Sequence, residues 1–154
     1  MEKGKIAEPR LNIPIIPMFD PIEELNMYTS LGSKHSFAKG SVIVSPGNPF
    51  NYIIFVISGQ LEVNLISAKG TEKFMFKLYK NNIGMALFQD EDHEFRITAT
   101  DNSTVCFFTL DGMVEILSRD NVLLKDFCLN LLQKANYFIM QSRDLYQSRP
   151  SSRM

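Results

Sequence analysis

The chain has 154 residues, 45% of them hydrophobic and 21% charged, with a net charge of -1. That suffices for one domain with a core, is too apolar for a disordered protein, and lacks the basic excess with which a nucleic-acid-binding module holds phosphates. Two cysteines rule out a disulfide framework and a four-thiolate cluster, and the longest apolar run, residues 53–57, is far below the ~20 needed to span a bilayer, so a reduced, cytoplasmic setting without membrane contact is expected.

Residues 1–19 carry Pro9, Pro14 and Pro17 among Leu11, Ile13, Ile15 and Ile16. Proline fixes φ and disfavours helix in the residue before it, which predicts an extended arm lying on the body or on a partner chain. No apolar stretch there leads to a small-residue cleavage site, so no targeting segment is expected. Asp20-Pro21-Ile22-Glu23 reads as a helix start, with Asp20 as cap and Glu23 completing a capping box. The helix should end near Leu31, before Gly32.

From Ser33 to Phe108 the hydrophobic period is two. Short strands are expected up to Phe37, over Val42–Val44, Tyr52–Ile57, Gln60–Leu65, Lys73–Tyr79, Ile83–Phe88, Phe95–Thr100 and Thr104–Thr109. Turns fall at Lys39-Gly40, Pro46-Gly47, Ser58-Gly59 and Lys69-Gly70, where glycine supplies positive φ without a steric penalty, and at Asn81-Asn82 and Asp101-Asn102. Gln89 to Glu94 reads as an acidic loop. In the returning strand, strict alternation puts Phe74, Phe76 and Leu78 on one face. About eight short strands at this spacing predict a closed or rolled antiparallel structure, a jelly-roll-like double-stranded β-helix.

After Leu110 the period becomes 3.6. A short helix is expected from Asp111 to Leu117. Asp120 or Asn121 then caps a long one running to about Tyr146, and the serine-rich tail 148–154 ends the chain loosely. The long helix carries an a/d seam of Leu124, Cys128, Leu131, Ala135, Phe138, Ser142 and Leu145, widened by Leu123, Phe127 and Leu132. A helix of roughly 26 residues is about 39 Å long, more than so small a body covers, so a homodimer through Leu124, Cys128, Leu131, Ala135, Phe138 and Leu145 is expected. The alternative is packing on the helix's own roll alone. The organisation is thus an arm (1–19), a roll with flanking short helices (20–118), a dimerisation helix (119–147) and a tail (148–154). Cys106 and Cys128 both read as small buried hydrophobes.

The ordered set Phe37-Ala38-Lys39-Gly40, Ile43, Gly47, the strand from Tyr52 to Gly59 and Val63 resembles the cyclic-nucleotide-binding β-roll, more narrowly the effector domain of CRP/FNR transcription regulators. Within that family, Pro21-Ile22-Glu23, Tyr28-Thr29, residues 37–40 and Pro46-Gly47 are similar to regulators of reductive dehalogenation genes, which sense halogenated aromatics. The resemblance implies a ligand between roll and long helix, and a helix-turn-helix domain of about 70–80 residues following the effector domain. This chain stops where that domain should begin, as a truncated sequence or a free-standing sensor, so DNA is a partner only if the missing domain is present.

The family's phosphate cassette starts glycine-glutamate and ends with an arginine pair, so that backbone amides and one arginine hold the phosphate. Here the matching stretch is Ile83-Gly84-Met85-Ala86-Leu87-Phe88. Met85 stands where glutamate belongs, His93-Glu94 where the arginine pair belongs, and Arg96 comes two or three positions late. The expected ligand is therefore a small aromatic anion, not cyclic AMP, held by Phe76, Gly84, Met85, Leu87, Arg96, Leu131, Lys134 and Tyr137, with Phe74 beside them. The plainer alternatives are Phe76 as core, Arg96 as a solvated strand residue and Lys134 as a snorkelling surface lysine. No cofactor or metal is expected. With only His35 and His93, an enzyme of the cupin kind is disfavoured. An orphan roll that dimerises without a ligand, and a cyclic-nucleotide-binding module, are the competing readings.

Overall fold

A computed structural model describes residues 19–48, 50–85 and 93–147. Eight strands run in chain order: β1 (Ser33–Phe37), β2 (Val42–Val44), β3 (Tyr52–Ser58), β4 (Leu61–Ser67), β5 (Glu72–Leu78), β6 (Ile83–Met85), β7 (His93–Ala99) and β8 (Ser103–Thr109). They form two four-stranded antiparallel sheets of order β1-β8-β3-β6 and β2-β7-β4-β5. A 3-10 helix (Glu23–Leu31) leads into the roll, and α1 (Leu110–Arg119) and α2 (Asn121–Gln147) leave it. None of the described helices is long and apolar enough to cross a membrane.

The central strand β3 is buried on both faces. Ile54 and Val56 point into the roll, where they meet Leu61, Val63, Leu78, Ile97 and Val105. Ile53 and Phe55 point the other way and pack with Cys106 and Phe108 against Ile22, Leu25, Met113, Ile116, Leu123 and Phe127 of the three helices. One strand thus serves two cores, which is why residues 53–57 read as a continuous apolar run.

The lead helix departs from expectation. Ile22, Leu25 and Tyr28 recur every third residue, and Ile22 and Leu25 are fully buried. That spacing lines the three up on one face of a three-residue turn. The cap position is Ile22, with no side-chain bond. Asp20 instead accepts Gln133 Nε2 at 2.8 Å, so the expected capping box does not form.

A second departure lies in β5. Val63 pairs with Phe76 but Asn64 pairs with Phe74, so Met75 is an extra residue, a β-bulge. The bulge breaks the alternation: Met75 and Phe76 are both buried while Phe74 is 40% exposed. Phe74 is therefore a surface residue and not part of the expected pocket. Residues 93 and 94, expected in a loop, belong to β7. Thr109 caps α1 by accepting Gly112 N at 2.9 Å, and Asp120 caps α2 by accepting Leu123 N at 3.0 Å.

Candidate ligand site

Along α2, Leu123, Phe127, Asn130, Lys134 and Tyr137 follow one another at spacings of four and three, which turns one stripe of the helix to its own body. The first three are at most 7% exposed, and Lys134 is 7% exposed. The neighbouring stripe, Leu131, Lys134, Ala135 and Phe138, forms one wall of a cavity of about 400 Å³. Val63, Phe76, Met85 and Phe95 from the roll form the other wall. The size falls in the range of small-molecule sites.

The lining side chains are apolar except for Lys134. Its Nζ donates to Asn130 Oδ1 and stands 4.3 Å from the centroid of the Phe19 ring. Burial pushes the Lys134 pKa down to about 7, because the ammonium has given up water for a largely apolar wall. An anion entering the cavity would favour the charged form again.

Phe76 is the hinge of the aromatic packing. Phe19 meets it edge-on at 5.1 Å, and Tyr137 and Phe138 lie at 6.0 Å from it. The Tyr137 hydroxyl is spent on the structure, donating to the carbonyl of the bulged Met75 at 2.5 Å. Burial pushes that hydroxyl's pKa up.

Of the residues expected at the site, Phe76, Met85, Leu131 and Lys134 come together at the cavity. Tyr137 packs behind Phe76 instead of lining it. Gly84 is buried in β6 opposite Ile54. A Cβ there would come 2.4 Å from Leu78 Cδ1, so its smallness serves packing and not ligand contact. Arg96 projects from the outer face of its sheet and pairs with Glu72 at 2.8 Å, away from the cavity. Leu87 lies outside the described residues, as does the side chain of Leu145. Ala135 and Phe138, expected at the dimer seam, also line the cavity.

Sequence reasoning missed Val63 and Phe95 as cavity walls, and Phe19 and Asn130 behind the lysine. The signal for Asn130 was present: a polar residue four before Lys134 on an otherwise apolar stripe. The opposite side of α2 exposes Leu124, Cys128, Leu132 (64%) and Ile139 (58%). Cys128 is thus not the buried hydrophobe expected. Cys106 is, fully covered, and burial raises its thiol pKa. A second depression of about 330 Å³ carries Asp20, Glu23, Glu24 and Asp126, and its charge repels anions.

Residues 34–120, more than half of the chain, match the family model described as cyclic nucleotide-binding domain. Comparison with curated proteins gives no match. Among solved structures, oxidized CprK in complex with o-chlorophenolacetic acid is 28% identical with a TM-score of 0.77, over 84% of this chain and 54% of that one. Reduced CprK without any ligand is 28% identical with a TM-score of 0.72, over 80% and 59%. A mutant of CooA from Carboxydothermus hydrogenoformans, 15% identical with a TM-score of 0.69 over 85% and 60%, shares the fold. The chain therefore spans a little over half the length of these proteins.

Proposed function

This chain belongs to the cyclic nucleotide-binding domain family, in its CRP/FNR form, and on that footing we propose that it is the effector-sensing and dimerisation part of a transcription regulator, taking a small aromatic anion between the roll and α2. The observation that carries this reading is the cavity itself: aromatic and aliphatic walls from roll and helix with Lys134 the one cation lining it among the described residues. Aromatic walls hold a ring by apolar burial and edge contacts, while one buried cation selects a carboxylate or phenolate over a neutral molecule of the same shape.

A cyclic nucleotide fits poorly. Met85 offers a ribose hydroxyl only a weak thioether acceptor in place of a carboxylate, and Arg96 is engaged with Glu72 on the outer face. The likeness to CprK, whose complex with o-chlorophenolacetic acid is solved, supports the aromatic anion. The cavity is open, not filled by Phe76 and Met85, which favours a ligand-binding module over a roll that only dimerises.

Signalling follows from the two sides of α2. One side lines the cavity with Leu131, Lys134 and Phe138, and the other offers Leu124, Leu132 and Ile139 to a second copy. A ligand that binds one helix arrangement better shifts the population toward it, and two paired helices carry that shift to whatever follows them. DNA contact, in this scheme, belongs to a helix-turn-helix domain after α2. Calorimetric titration with o-chlorophenolacetic acid and with cyclic AMP tests the reading. Saturable binding of the chlorinated acid and none of cyclic AMP is expected, and the reverse pattern overturns it.

A further inference from the structure

We propose that Phe19 and Asn130 form a fixed cradle that aims the Lys134 cation into the cavity, so that capture of an anion is felt by the chain where it enters the roll at Phe19–Asp20. The inference rests on the ligand reading above and adds two residues and a direction of coupling to it.

An ammonium has three N–H bonds to satisfy. Asn130 Oδ1 takes one. The face of Phe19, 4.3 Å away, lies within the ~6 Å over which a ring attracts a cation. Lys134 lines the cavity, and a ligand there would take a remaining N–H. Phe19 is 7% exposed and Asn130 1%, so neither swings away into solvent.

The same residues hold the incoming chain. Asn130 Nδ2 donates to the Asp20 carbonyl at 2.6 Å. The next turn of α2 adds Gln133, which accepts Asp20 N at 3.1 Å and donates to the Asp20 carboxylate at 2.8 Å. Phe19 packs on Phe76 and Tyr137. Residues 19 and 20 are thus strapped to the turn of α2 that carries the lysine. Attraction to the Phe19 face exists only while the amine is charged, and a charged donor roughly doubles the strength of the bond to Asn130. An anion in the cavity favours the charged form, so its capture tightens both contacts and draws the strap onto the helix.

The test compares o-chlorophenolacetic acid with its neutral methyl ester by calorimetry, on the wild-type chain and on Phe19→Leu. Leucine keeps apolar bulk but removes the ring face. About a fivefold loss of affinity for the acid, with the ester unchanged, is expected. Equal losses for both probes overturn the cradle and leave the ligand reading standing, whereas a wild-type chain that binds neither probe overturns the reading and the capture step together. A second, ligand-free arm measures backbone amide exchange over residues 19–25 in Lys134→Met. Faster exchange at Asp20, whose N–H is bonded to Gln133, is expected. Unchanged exchange there overturns the cradle whatever the probes do.

Discussion

Replacing Lys134 by methionine should change how stability depends on pH. Methionine fills similar volume with no charge to desolvate. In the unfolded chain the lysine titrates near the ordinary 10.5, and in the folded protein near 7. Between those values the unfolded state holds more protons, so wild-type stability rises with pH through that window. At ~1.4 kcal/mol for each tenfold difference in proton affinity, burying the lysine costs about 5 kcal/mol at pH 6 and about 2 kcal/mol at pH 9. Methionine escapes that cost but leaves Asn130 Oδ1 without its donor, a loss of about 1–3 kcal/mol that does not vary with pH. The variant's advantage over wild type should therefore shrink by about 3 kcal/mol between pH 6 and pH 9. Urea unfolding of both proteins at a fixed concentration, at four pH values across that range, gives the difference directly. Parallel curves would show that Lys134 carries its ordinary charge in the fold, and the account of the cavity would fail.

At pH 8.5 the empty site's lysine is mostly neutral, so binding o-chlorophenolacetic acid should take up close to one proton; titration in two buffers of different ionisation enthalpy reads this as a difference in heat. Ile139→Asp, on the exposed stripe of α2, should convert a dimer to a monomer in sedimentation experiments while leaving the strand signal in circular dichroism intact. A wild-type chain that stays monomeric at high concentration removes the pairing scheme. Gly59 has φ +95, and a Cβ there would come 2.2 Å from Ser103 Oγ and 2.6 Å from the Asn102 carbonyl. Gly59→Ala should cost about 3 kcal/mol in thermal unfolding, against about 1 kcal/mol for Gly70→Ala, which has similar φ but open space. Tyr137→Phe should cost about 1–2 kcal/mol, because the bulged Met75 carbonyl loses its donor while the ring packing on Phe76 remains.

Much of this fold was legible because its punctuation is local. Gly40, Gly47, Gly59 and Gly70 all adopt positive φ at the expected turns, and the strands between them fall within two residues of their expected bounds, save that the expected end of β6 at Phe88 lies outside the described residues. What failed was non-local. The bulge at Met75 depends on how β5 pairs with β4, and no pattern within β5 announces it, so Phe74 was placed inward when it faces solvent. Asp20 looked like a cap because its neighbours in sequence invite one, but Gln133, 113 positions away, claims its carboxylate. At the cavity, Lys134 stands out as a cation within an apolar stripe, while the likeness that points Arg96 at a ligand does not show its ion pair with Glu72, 24 positions away. Phe19 was read with the proline-rich arm, and only the packing shows it behind the lysine.

The corner at Asn81-Asn82 decides where the protein can be cut. Asn81 sits at φ 67, and its carbonyl accepts Ile22 N at 2.8 Å. Asn82 Nδ2 donates to the Phe19 carbonyl, and both asparagines are bonded to Val56 of the central strand. A fragment trimmed to the family match, starting at residue 34, would strip partners from these covered polar groups and from Asn130 at once. Anyone expressing the shortest stable version of this domain should open the reading frame upstream of Phe19.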